Sequence, residues 1–95
     1  MPDLRRVVLD VLKPHDPPLL RFTDRIADVE SVDGATASLI ELDQEVQNVK
    51  ITVAGSRLDY GAIEAAVEEL GGTVHSVDQV ACGEAVVDEP ATLQD

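Results

Sequence analysis

Ninety-five residues suit one domain around one hydrophobic core, and 44% apolar residues suffice to pack it. The charge is lopsided, with 19 Asp and Glu against 7 Lys and Arg for a net charge of −12. That field repels nucleic acid and anionic membranes, no apolar run reaches spanning length, and no basic-then-apolar leader opens the chain, so we expect a cytoplasmic protein that binds neither.

The first predicted strand is Leu4 to Leu12, where Val7, Val8, Leu9, Val11 and Leu12 form a nearly continuous apolar run. Such a run suits a central strand covered on both faces. Lys13-Pro14-His15-Asp16-Pro17-Pro18 stops it. Asp16 before Pro17 reads as an N-cap with proline at the first helical position. Leu19, Phe22, Ile26 and Val29 then recur at spacings of three and four, one helical stripe. Asp33-Gly34 ends the element. The second strand runs from about Ala35 to Asp43, and Gln44 to Asn48 reads as a polar turn. The third strand, Val49 to Ala54, alternates Val49, Ile51 and Val53 with Lys50, Thr52 and Ala54. After Gly55-Ser56, Asp59 is a plausible N-cap and Leu58 can staple onto Ile63. Tyr60, Ile63, Val67 and Leu70 make the second helical stripe, which Gly71-Gly72 stops. The last strand is Thr73 to Cys82.

The two halves echo each other, each a strand, a loop, an amphipathic helix, a glycine stop and a second strand. The pattern predicts a ferredoxin-like βαββαβ α+β sandwich: a four-stranded antiparallel sheet in the order 4-1-3-2 with two helices on one face. We divide the chain into a ferredoxin-like domain, residues 1–83, and an acidic, Pro-containing tail, residues 84–95. One sheet face lacks helices. Exposed Val and Leu are expected there, with self-association, to a trimer or hexamer, as the simplest cover.

Arg6-Val7-Val8-Leu9-Asp10-Val11-Leu12-Lys13-Pro14-His15-Asp16-Pro17, Glu41-Leu42-Asp43, Asn48-Val49-Lys50-Ile51-Thr52-Val53 and Gly71-Gly72-Thr73-Val74-His75-Ser76-Val77-Asp78-Gln79-Val80 carry a family resemblance. Together they resemble the archaeal domain-of-unknown-function family two hundred and eleven over nearly the whole chain. The resemblance implies a ferredoxin-like fold, an archaeal cytoplasmic origin and symmetric oligomers. It implies no established reaction. The acidity would suit a salt-loving (halophilic) member, because counterions screen the self-repulsion of a Lys-poor acidic surface. The thermal midpoint is then expected to rise from low to molar KCl, and a flat or falling midpoint would count against salt adaptation.

Chemistry has few places to sit. The lone Cys82 excludes an internal disulfide and CxxC chemistry, and it reads as a small core residue. Clustered carboxylates suit Ca2+ or Mg2+, which take oxygen ligands. Zinc would want more Cys and His than this chain has. The candidate metal ligands are Asp10 and Asp78 as the first choice, on strands expected to be neighbours, and Glu41 and Asp43 as a separate site or one shared across a subunit interface. Asp10 interrupts a central strand, Asp78 lies on its expected neighbour, and Glu41 and Asp43 share one face of the second strand, with Glu45 continuing that side. Plain alternatives are a cross-sheet pair of Asp10 with Lys50 or Arg6, and a solvated carboxylate face. The Lys13–Pro18 loop reads chiefly as a structural turn, with an anion held by Lys13, His15 and the first N–H groups of the helix as the alternative, and His75 reads as a partly buried structural histidine. A Ser76–His75–Asp78 triad fails because adjacent strand residues point to opposite faces.

Rivals within the fold fare worse. No strand carries an aromatic for stacking RNA bases, the first loop lacks a CxxC, and its nearest arginine, Arg21, lies inside the helix. The reading is a non-enzymatic, self-assembling protein with an acidic cation site and no organic cofactor. A regulatory domain binding a metabolite at a subunit interface is the alternative, and an enzyme acting through His15 or His75 comes third.

Overall fold

The computed structural model describes residues 2–87. The chain runs β1 (Leu4–Pro14), α1 (Leu19–Ala27), β2 (Gly34–Leu42), β3 (Val46–Ala54), α2 (Tyr60–Glu69) and β4 (Thr73–Cys82). Its strands form one antiparallel sheet in the order β2-β3-β1-β4. This is the expected ferredoxin-like α+β arrangement and the expected strand order. Of the tail, residues 88–95 lie outside the described residues.

Opposed residues of an antiparallel ladder share a face. Val7, Leu9 and Val11 of β1 lie opposite Val53, Ile51 and Val49 of β3, and all six are fully buried. Phe22 and Ile26 of α1 and Ile63 and Val67 of α2 join the same cluster. Both helices therefore cover one face. Ala35 and Ala37 of β2 lie opposite Val53 and Ile51 and pack against that core.

The helix starts differ in how well composition announced them. Asp59 caps α2 as expected, its carboxylate accepting from the Ala62 N–H at 3.2 Å. For α1 the expected Asp16 cap is wrong. Pro18 holds the N-cap position without a side-chain cap, and the helix begins at Leu19. A residue before proline is pushed to extended backbone, so Pro17 before Pro18 cannot be helical. The Asp16–Pro17 peptide is cis. Gly71 ends α2 at a φ of 86°, where its N–H bonds the Glu68 carbonyl at 3.0 Å.

Two strands run further than expected. β1 continues through Lys13 and Pro14, and β3 begins at Val46. Val46, Gln47 and Asn48 pair with Pro14, Lys13 and Leu12, so ladder pairing overrides their polar composition. The turn shrinks to Asp43–Glu45.

The helix-free face corrects a larger expectation. It carries Arg6 and Asp10 of β1, Asn48, Lys50 and Thr52 of β3, Thr36, Ser38 and Glu41 of β2, and Ser76 and Gln79 of β4. Val8 and Leu12 lie among them, Val8 only 7% exposed and Leu12 half-buried. Alternation sends most of the large aliphatics of β1 and β3 to the helix side and leaves this face polar. The exposed aliphatics sit instead on the two edge strands: Leu39, Ile40 and Leu42 on β2, and Val77 and Val80 on β4. Cys82, expected in the core, and His75, expected to be partly buried, are both exposed. Both belong to β4, an edge strand, and His75 falls at a register shift between Ser76 and Val74.

Candidate functional site

The β2–β3 hairpin projects two carboxylates into a cleft of about 310 Å3 lined by Leu12, Glu41, Leu42, Asp43, Val46 and Asn48. A register shift between Leu39 and Glu41 makes Ile40 the extra residue of a bulge. The bulge sets Glu41 opposite Asn48 on the helix-free face. Asp43 closes the turn, with its N–H donating to the Val46 carbonyl at 2.9 Å and its carboxylate accepting from the Gln44 N–H at 2.7 Å. Glu41 and Asp43 thus border one cleft, Asp43 from the turn beyond β2.

Asp10 reaches this site through Asn48. The Asn48 Nδ2 donates to Asp10 Oδ1 at 2.7 Å. Lys50 lies opposite Asp10 in register, yet the hydrogen bond to the Asp10 carboxylate comes from the neighbouring amide. With its donor end engaged by Asp10, the Asn48 amide has a carbonyl oxygen to offer the cleft. Asp78 belongs to a different group. Its strand neighbours β1 as expected, but Ser76, not Asp78, stands opposite Asp10. Asp78 is the extra residue at a register shift, and its carboxylate accepts from Ser76 Oγ at 2.7 Å. The four candidate residues therefore fall into two places on the sheet, with Glu41, Asp43 and Asp10 around Asn48 and Asp78 beside Ser76.

The Lys13–Pro18 loop proves to be built into the hairpin. Lys13 is fully buried. Its Nζ donates to the Pro14 carbonyl at 2.7 Å, to Gln47 Oε1 at 2.9 Å and to the His15 carbonyl at 3.4 Å, and lies 5.8 Å from the centroid of the Phe22 ring. Burial pulls its ammonium below the usual lysine range, while the nearby Asp16 charge pulls the other way. His15 is exposed, and its Nε2 donates to the Asp43 carbonyl at 3.0 Å, which places a proton on that nitrogen. Composition offered Lys13 only as an anion contact, whereas its buried ammonium is turned onto carbonyl oxygens, and composition did not announce Gln47 or Asn48 as site residues. A signal for Lys13 existed: odd positions 7, 9 and 11 of β1 face the core, and 13 continues the series.

Among the described residues, no group of three or more His, Cys, Asp or Glu side chains comes together as a metal-holding cluster. What one chain brings to the cleft is two carboxylates and an amide oxygen. No helix among the described residues is long and apolar enough to cross a membrane.

Two comparisons bear on this arrangement. The family model for DUF211, described as an uncharacterized ArCR group, matches residues 5–95. An uncharacterized protein of Methanocaldococcus jannaschii is 40% identical over 95 residues, covering 100% of this chain and 98% of that one.

Proposed function

The chain belongs to the archaeal DUF211 family, and from that premise we propose that it is a non-enzymatic protein that assembles with copies of itself and holds a divalent cation, Ca2+ or Mg2+, in the hairpin cleft. The observation that carries this reading is the state of the two edge strands. Among the described residues, β2 and β4 both have one side without a strand partner, neither strand contains Lys or Pro, and both expose aliphatic side chains. Edges without lysine or proline are templates for another strand. A β2 edge meeting a β4 edge is a head-to-tail contact, the kind that closes into rings. The cleft adjoins the β2 edge, since Leu42, 63% exposed, belongs to both. Ca2+ takes six to eight oxygens as a rule. Glu41, Asp43 and Asn48 supply part of such a shell, and water or a second copy would complete it. The surplus of carboxylates suits a salty cytoplasm.

The metabolite-binding alternative needs an adaptable loop between β1 and α1. Lys13 and His15 tie that loop to the hairpin, which favours the first reading.

Light scattering on two exposed-edge variants tests the assembly. Wild-type protein is expected as an oligomer, and Leu42→Lys and Val80→Lys each as smaller species. Mixing the two is expected to give one-to-one pairs, because each variant keeps one sound edge. A monomeric wild type sinks the assembly reading. Calorimetric titration of Ca2+ into chelator-treated protein at fixed high KCl tests the cleft. Heat is expected for wild type and is lost in Glu41→Gln with Asp43→Asn, whereas wild-type heats equal to dilution sink the cation reading.

A further inference from the structure

One loop ties down both legs of the β2–β3 hairpin. Gln47, on the leg entering β3, accepts from Lys13 Nζ at 2.9 Å. Asp43, on the leg leaving β2, accepts at its carbonyl from His15 Nε2 at 3.0 Å. Around these ties the hairpin carries Glu41, Asp43 and Glu45, all exposed. The Lys13 end is anchored: the side chain is fully buried, against Phe22, and also donates to the Pro14 carbonyl at 2.7 Å. The His15 end is exposed and rests on one bond.

We propose that the loop following β1 is a latch, in which Lys13 holds the hairpin permanently and His15 closes its tip, fixing the position of Asp43 relative to Glu41. His15 is thus a positioning residue that never touches the ligand itself. Its consequence for binding rests on the cation reading of the cleft, but the latch itself does not. Release of His15 frees the Asp43 carbonyl and leaves the tip to the bond between the Asp43 N–H and the Val46 carbonyl. The cleft loses the spacing that a cation requires while the sheet beneath it stays intact, because β1 and β3 pair independently of His15.

Amide hydrogen exchange on His15→Ala tests the latch. His15 is exposed, so the variant keeps its core. Exchange at residues 43–46 is expected to quicken about fivefold, the weight of one hydrogen bond, with Val7–Val11 and Val49–Val53 unchanged. His15→Gln, whose amide can donate to the same carbonyl, is expected to restore slow exchange. In Ca2+ titration, His15→Ala is expected to bind about fivefold more weakly. Exchange at the tip that matches wild type, or quickening spread across the whole sheet, overturns the latch. A wild-type protein that takes up no Ca2+ removes the proposed ligand, and exchange still decides the latch.

Discussion

Phe22→Ala is expected to lower the thermal midpoint by about 20 °C or more, the largest effect of any single truncation in this chain, on the basis of about 3–5 kcal/mol for a buried Phe→Ala change. Phe22 is the only phenylalanine in the sequence, and its side chain is fully buried. The ring joins three elements. It rises from α1, lies 5.8 Å from the Lys13 ammonium at the end of β1, and reaches over Gly72, where an added Cβ would sit 3.0 Å from its tip. Gly72 is therefore the complement of the ring. Small domains are stable by about 5–15 kcal/mol in all, so this one change removes a large share. Phe22→Leu keeps most of the volume and is expected to cost far less. Thermal unfolding followed by circular dichroism checks both. A midpoint within about 5 °C of wild type for Phe22→Ala would mean that α1 contributes little to the core, against about 4–8 °C per kcal/mol expected at this size.

How much of this was legible in the sequence differs by element. Element order and the core faces of β3 and the helices were legible because Val49, Ile51 and Val53 repeat with a period of two, and Phe22, Ile26, Ile63 and Val67 with a helical period, whereas the near-continuous run of β1 read as covered on both faces. These patterns are local, and one buried face enforces them. The start of α1 was not legible, because two adjacent prolines act through backbone restriction while Asp16 advertises a cap it does not form. The polar nature of the helix-free face was masked by Val8 and Leu12, which make β1 look apolar throughout. Glu41 and Asp43 do border one cleft, but Asp43 does so from the turn beyond β2 rather than from a shared strand face. Asp10 and Asp78 do not come together, since register shifts in β4 depend on the ladder and leave no mark in composition. Lys13 was hidden for a different reason. A lysine beside a proline-rich turn looks like a solvated stop, and only the continued alternation of β1 sends it inward.

The second large effect concerns that lysine. Lys13→Ala is expected to cost about 2–4 kcal/mol, since it deletes a fully buried stem and leaves a cavity under the loop. Lys13→Met separates stem from charge. It keeps the volume, removes the buried ammonium, and strands the acceptors at Pro14 and Gln47. Replacing a buried ion with an apolar group of like size is often close to neutral, so Lys13→Met is expected within about 1.5 kcal/mol of wild type at neutral pH. A Met variant as damaged as the Ala variant would show that the ammonium's hydrogen bonds, not its stem, hold the loop. The pH dependence supplies an independent check. Burial lowers the folded-state pKa below the ordinary lysine value of 10.5, so the folded protein gives up this proton before the unfolded chain does. Below the folded pKa both states are protonated and the fold bears the full cost of burying the charge. As pH rises from the folded pKa to 10.5, the unfolded state binds more protons, and the Lys13 contribution to stability rises. Tyr60 works in the opposite sense. Burial, then Glu64 and Glu68, raises its pKa above the ordinary 10.0, so its contribution falls as pH rises through that value. The informative quantity is therefore wild-type stability minus that of Lys13→Met, in which Tyr60 cancels. This difference is expected to shift in favour of wild type between neutral pH and 10.5, measured by denaturant unfolding at fixed KCl. A difference that stays constant over that range would mean that the Lys13 ammonium is as well solvated inside the fold as outside it.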